Sequence, residues 1–358
     1  MMMHKKKIMK KLSAAVLTAG LTAAAVLYVP AVSGTDTVLA DEQVASVYTG
    51  EPVSAAQASQ RPIAVMVPTD KAAQPSYGIG NAKVLYEIME EGEMSRQMAI
   101  IDDWQGLDRI GSIRSCRDYY ITIAKEWDPI LIHVGGVHYM ADKITAPDVN
   151  NLSAAREYGT GGGAPGSSAF FRSTDRKVPH NAYVSGEGVT KACNDLGYSL
   201  ATRPEYYNAS HFQFAPEGNT LEQYDGAVPG NTIDLSDIFP YTRSSLTYNP
   251  ETGLYAKNIH GQAQVDSLTG NQLTFANVIV QNTKWSKRDA KGYLAFQTVD
   301  STCDGYYFTK GKGIHITWKK TSDYSPTRYY DDNGVEIQLN AGKTFIAVAQ
   351  QGRTLLNS

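Results

Sequence analysis

Residues 114–136 read RSCRDYYITIAKEWDPILIHVGG, and this stretch decides the fold class. Cys116, Tyr119, Tyr120, Ile123, Ala124 and Trp127 recur at the spacing of one helical stripe, with Asp128-Pro129 as a stop. Ser115 followed by Asp118 predicts a capped start at Ser115. Ile130 to Val134 reads as a further strand, apolar except for His133, and Gly135-Gly136 turns the chain into a second short helix over Val137 to Ile144.

Upstream, Pro62 to Val67, Val84 to Met89 and Gln97 to Ile101 are three further strand candidates, the last two separated by the acidic turn Glu90-Glu91-Gly92-Glu93. Strand, helix and strand in this order predict a parallel crossover and a sheet covered by helices. Downstream of about Ala201 the texture changes to alternating strands punctuated by turns. Tyr248 to Leu254 and Asp331-Asp332-Asn333-Gly334 are hairpin connections. Val278 to Gln281, Ile314 to Trp318, Val335 to Leu339 and Phe345 to Ala349 are strands between them. The fold class is therefore α/β: a layered αβα N-terminal domain with a mixed sheet over residues 61–204, followed by a β-rich C-terminal domain over 205–358.

Residues 1–40 carry Lys5, Lys6, Lys7, Lys10 and Lys11 ahead of an uncharged stretch from Leu12 to Thr35, with Val38-Leu39-Ala40 as a cleavage site. This is the pattern of a signal peptide or an N-terminal membrane anchor, and in either case the remainder of the chain is exported. Residues 41–60, rich in Ala, Gln, Ser and Val, read as a linker. The whole chain of 358 residues has 33 Lys and Arg against 36 Asp and Glu. Without residues 1–40 the balance is 28 against 35, or −7, which gives no support to nucleic-acid binding. Membrane contact is expected only through the N-terminal segment. Three cysteines, Cys116, Cys193 and Cys303, are too few for a disulfide framework, although Cys193 and Cys303 have the option of pairing.

The sharpest chemical feature is Arg114-Ser115-Cys116-Arg117 at the predicted helix start. Cations there oppose the helix dipole unless an anion sits with them. If Gln97–Ile101 and Ile130–Val134 are parallel neighbours, their carboxyl ends share one sheet edge, gathering Asp102, Asp103, Arg114, Arg117 and His133 where open α/β sheets bind ligands. The expected ligand-binding set is Arg114, Ser115, Arg117, His133, Gly135 and Gly136, closed over by Arg172, Arg176, His180 and Asn181. The alternative for each arginine is an internal salt bridge. Glu87, inside an apolar strand, and Asp102 are the acid/base candidates should the site be catalytic. By the same topology Glu91 and Arg96 fall at the opposite end of the sheet. His133, His138 and His180 match no standard metal-ligand spacing, so neither metal nor cofactor is expected. The Gly159 to Ser168 run lacks the Gly-Lys-Ser/Thr ending of a phosphate loop and reads as a surface loop.

These segments together resemble the YerB-like family, exported and usually lipid-anchored envelope proteins of Gram-positive bacteria whose activity is unassigned. The resemblance is carried by Arg61-Pro62-Ile63-Ala64-Val65-Met66, Val84-Leu85-Tyr86-Glu87, Glu91-Gly92, Ser95-Arg96 and Gly111 to Arg117. It continues through His133-Val134-Gly135-Gly136, Pro179-His180-Asn181, Asn277 to Val280 and Gly313 to Lys319. It implies an αβα part joined to a β-rich part and no established reaction. The first cysteine is Cys116, so the acylated cysteine that closes a lipoprotein signal is absent. The function expected is non-catalytic binding of an anionic cell-wall component or small anion, with other envelope proteins as further partners. The alternatives are a wall hydrolase or transferase using carboxylates, or a protein-interaction module.

Overall fold

In parallel strands buried on both faces, β-branched and aliphatic residues run without alternation, because helices and loops cover both sides. Ile63-Ala64-Val65-Met66-Val67 and Ile130-Leu131-Ile132 are such runs, all 2% exposed or less, and they pair in parallel with Val65 opposite Ile132. The computed structural model describes residues 43–155 and 164–358. Its principal elements are Ile63–Pro68 (β1), Val84–Met89 (β2), Ser95–Ile101 (β3), Asp118–Ala124 (α1), Ile130–His133 (β4), Asn151–Ser153 (β5) and Gly186–Leu196 (α2). They are followed by Ser245–Asn249 (β6), Leu254–Ile259 (β7), Asn277–Thr283 (β8), Asp300–Thr309 (β9), Lys312–Lys320 (β10), Arg328–Tyr330 (β11) and Thr344–Gln350 (β12).

The protein is a mixed α/β molecule with a mixed sheet in its N-terminal part and a β-rich C-terminal part. One eleven-stranded sheet runs β10-β9-β8-β12-β2-β3-β1-β4-β5, with Val228–Pro229 and β11 paired to β10. β12 pairs in parallel with β8 on one side and with β2 on the other. The last long strand of the chain therefore lies beside one of the first. A smaller sheet carries the β6–β7 hairpin, joined by the expected Tyr248 to Leu254 turn.

The strand neighbours differ from the expectation. β3 is antiparallel to both β1 and β2, and β1, not β3, is the parallel partner of β4. β3 thus runs against its neighbours, and its carboxyl end, with Asp102 and Asp103, lies at the opposite edge from His133. Its first residues, Ser95 and Arg96, lie at the edge where β1, β2 and β4 end. The helix also begins later than expected, at Asp118. Residues 113–116 are instead drawn out as a bridge between strand ends: the Arg114 amide donates to the Met66 carbonyl (2.9 Å), and the Val134 and Cys116 amides bond to the carbonyls of Arg114 (2.9 Å) and Gly135 (3.0 Å). Arg114 therefore precedes the helix by several residues and opposes no dipole.

Residues 43–60 are ordered rather than a loose linker. Gln43–Ala45 pairs with Pro52–Ser54, and buried Tyr48 stacks on Trp127 at 5.4 Å. Val335 to Leu339 is not a strand: Glu336 and Leu339 make single bridges only, because Asp331 closes a tight turn and the chain then crosses to Phe214. No disulfide joins Cys193 to Cys303, and both thiols are buried. The export segment lies outside the described residues, as does the first half of the Gly159 to Ser168 run.

Two buried ion pairs tie the C-terminal part to the first strands. Glu87 on β2 and Lys257 on β7, both 0% exposed, lie 3.0 Å apart. Ser95 (2.8 Å), Gln97 (3.1 Å) and Ser244 (2.8 Å) also donate to the Glu87 carboxylate. Burial alone would raise its pKa, but Lys257 and these donors outweigh that and hold it below the ordinary value. Glu126 is held in the same way by Tyr86 (2.8 Å), Thr327 (2.7 Å) and Lys320 (3.4 Å). Beside it His211, 2% exposed, stacks on Trp127 with ring centroids 3.4 Å apart.

Replacing Lys257 by Met leaves Glu87 as a buried carboxylate without its counter-charge and should cost about 3–5 kcal/mol, whereas Glu87→Gln with Lys257→Met should recover most of the loss. Denaturant unfolding of the two variants measures the difference. Burial pushes the His211 pKa down to about 3, despite the attraction of Glu126. The imidazole stays neutral in the fold while the unfolded chain takes up a proton below about pH 6.5, so its contribution is full above that pH and is lost as pH falls toward 3. Between pH 7 and 5 the loss amounts to about 2 kcal/mol. The stability-versus-pH curve of His211→Phe should be flatter than wild type by that amount.

Candidate functional site

β1, β2 and β4 all point one way, so their carboxyl ends share an edge with the start of β3 and the bridging segment 113–116. Four arginines converge there. Arg96 donates to Glu90 (2.7 Å), to the Ser115 carbonyl (2.6 Å) and to the Ser115 hydroxyl (3.1 Å). Arg117 is bound to Glu91 (2.6 Å) and lies 3.5 Å from Glu90. Burial disfavours its charge, but Glu90 and Glu91 outweigh that and raise its pKa. Glu90 is itself 3% exposed, and burial raises its pKa against the pull of Arg96 and Arg117.

Arg114 differs from these two. Among the described residues no carboxylate lies within ion-pair distance of it, and its guanidinium makes one hydrogen bond, a long one to the Pro179 carbonyl (3.4 Å). Its Nε is buried without a partner. Burial lowers its pKa and neighbouring Arg96 lowers it further, against the weaker attraction of Asp70 and Glu90. His180 stands beside it with Nδ1 unpartnered. Its pKa is lowered, first by burial and then by Arg114, Arg176 and Arg96, with Asp70 opposing. Arg176 donates to the Ala73 and Pro75 carbonyls and fastens the loop after β1. Such a corner offers donors and positive potential, with Asp70 and Glu90 acting on Arg114 only from beyond ion-pair distance.

The other expected residues have structural partners. His133 is 0% exposed; its Nδ1 donates to the Gly135 carbonyl (2.8 Å) and its Nε2 lies 3.3 Å from Asn151 Oδ1. It supports the edge from beneath and does not face it. Gly135 has φ 63° and accepts from Cys116, and a Cβ on Gly136 would fall 1.9 Å from Met140 Sδ, so Gly136 is needed for close packing. Arg172 donates to Asn181 (2.8 Å), which donates to the Ser173 carbonyl (3.1 Å), and both shape the covering loop. Asp102 lies at the far edge beside Lys83 (3.7 Å) and Gln57 (3.2 Å).

Arg96 and Glu90 belong to the site although the expected topology set the start of β3 apart from it. Ser95-Arg96-Gln97 opens β3 with polar residues, but nothing local to that segment reports which strands lie beside it. Among the described residues no group of three or more His, Cys, Asp or Glu is placed to hold a metal ion.

Fold and site define an α/β protein whose mixed sheet runs into its β-rich C-terminal part and bears a basic cluster at the carboxyl edge. Residues 48–199 match the family described as "Protein of unknown function (DUF3048) N-terminal domain", and residues 236–346 match its C-terminal domain. The chain belongs to the DUF3048 family. It is 26% identical over 290 residues to "Putative lipoprotein YerB" of Bacillus subtilis (strain 168), spanning 81% of each chain. The crystal structure of the YerB protein from Bacillus subtilis has the same fold, with a TM-score of 0.72 at 20% identity over 88% of this chain and all of that one.

The two arginines should separate by stability. Arg117→Ala leaves Glu90 and Glu91 short of a cation and should cost about 1–3 kcal/mol. Arg114→Ala removes a repelled cation and should lie within about 0.5 kcal/mol of wild type. Paired thermal melts at neutral pH and low salt check both.

Proposed function

We propose that this is an exported cell-envelope protein that binds an anionic group, phosphate or carboxylate, through Arg114 without catalysing a reaction. His180 and Arg176 close the site and Arg96 adds potential. The observation that carries this reading is the contrast among neighbours: buried Arg96 and Arg117 are each ion-paired with carboxylates, and partly buried Arg114 is not. A partly buried guanidinium is costly without a counter-charge, and a ligand's anion lowers that cost. Export is supported by the lysine-then-apolar pattern of residues 1–35 and by the naming of the Bacillus relative as a lipoprotein. A ligand derived from the cell wall suits that location.

The hydrolase alternative loses its acid/base pair. Glu87 is locked in an ion pair, and Gln97, its partner across the strands, is five residues from Asp102, or roughly 17 Å along β3. Two carboxylates cutting a glycosidic bond stand about 5–9.5 Å apart.

Titration calorimetry with inorganic phosphate at low salt tests the binding. Wild type should bind saturably and more weakly as salt rises. Arg114→Ala should bind roughly 10- to 100-fold more weakly, the loss of a charge-assisted hydrogen bond worth about 1.5–3 kcal/mol, with an unchanged melting temperature. Equal affinity in the two proteins overturns the assignment.

A further inference from the structure

The loop after β1 has a second face. Arg176 fastens its Ala73 and Pro75 carbonyls on the side of the basic cluster. On its other side, Lys71, Gln74 and Pro75 form one wall of an open groove of about 500 Å³, whose opposite wall is the turn after β7, from Ile259 to Val265. At His260 this groove meets a second hollow of about 430 Å³, lined by Asp234, Ser236, Arg243 and Ser245 among others. Gln264 belongs to the first groove and is fixed there by a reciprocal amide pair with Gln97 (2.7 and 3.1 Å).

The lining mixes apolar Pro75, Ile259, Ala263 and Val265 with amide, hydroxyl and imidazole groups, the cations Lys71 and Arg243 and a single carboxylate, Asp234. His260 sits where they join. Its Nε2 donates to the Thr69 carbonyl at 2.7 Å, which leaves Nδ1 an acceptor, and that atom has no partner. Tyr241, 41% exposed, meets the His260 ring edge-on at 5.3 Å. His260 and Arg243 are both held at positive φ, 57° and 48°, which non-glycine residues adopt at some cost. The groove is far larger than a lone phosphate needs.

We infer that the groove binds the sugar units of an anionic polysaccharide whose acidic group is taken by Arg114. The inference rests on the anion-binding reading and extends it. Hydroxyl and acetamido groups need scattered neutral donors and acceptors, which this lining supplies. A pyranose presents an apolar C–H face that an exposed tyrosine ring covers. The shared loop from Asp70 to Pro75 sets sugar and anion on adjoining surfaces.

The test uses glucuronate, inorganic phosphate and a hyaluronan octasaccharide, in which glucuronate alternates with N-acetylglucosamine, against the full exported chain. The octasaccharide should bind at least about tenfold more tightly than glucuronate. Tyr241→Ala combined with Gln262→Ala should erase that gain and leave glucuronate and phosphate binding unchanged, with an unaltered melting temperature. Arg114→Ala should weaken all three ligands. An octasaccharide bound no more tightly than glucuronate overturns the groove while leaving the anion site standing. Failure of glucuronate and phosphate alike removes the anion site and the groove proposal with it.

Discussion

β12 is hydrogen-bonded in parallel on both flanks, to β8 from the C-terminal half and to β2 from the N-terminal half. All seven of its residues are buried, and Phe345 to Ala349 are 0% exposed. A central parallel strand has no edge at which to pair with water, so its backbone groups are satisfied only when both halves are in place. The chain must therefore bring residues 344–350 back to residues 84–89 before the sheet is complete, a long-range closure whose entropy is recovered only by the contacts it makes. The two halves recognised as separate family segments share one hydrophobic core.

The polar interior follows the same seam. Glu87 and Glu126 come from the N-terminal half and Lys257 and Lys320 from the C-terminal half, and each carboxylate is surrounded by further donors. Buried pairs of this kind add little net stability over apolar packing, yet a mispaired half would leave a bare charge in the core. Their effect is selective: they penalise any other docking of the two halves. Arg114 departs from that strict neutralisation, and its backbone is fixed by two strand ends.

Elements were legible in the sequence to the extent that burial is two-sided. Ile63 to Val67, Val84 to Met89, Ile130 to His133 and the strands at 277–283, 312–320 and 344–350 all show as apolar or alternating runs because their surroundings demand it. Pairing was not legible. Nothing local to Gln97–Ile101 reports that β1 lies between it and β4, and that one misplacement carried Asp102 to the site and Arg96 away from it. The helix start failed for a related reason: Ser115 and Asp118 satisfy a capping pattern, but the carbonyls of Met66 and Gly135 compete for the backbone of residues 114–116 and win. Arg114, Arg176 and His180 were legible as chemistry; the neutralisation of Arg117 by Glu90 and Glu91 needed the fold.

That neutralisation is also what gives the site its shape. With Glu90 and Glu91 drawn to Arg96 and Arg117, the acidic turn after β2 screens one side of the edge, and the unscreened potential is confined to the side where Arg114, His180 and Arg176 meet. His180 loses charge to burial and to these cations, so an arriving anion finds a neutral imidazole and a fixed guanidinium rather than a diffuse basic face. Field confined in this way selects a ligand by where its charge sits relative to its neutral parts. The loop that Arg176 fastens is the physical link: it sets the position of the cation cluster on one face and of the polar groove on the other, so a displacement of residues 70–75 would alter both at once.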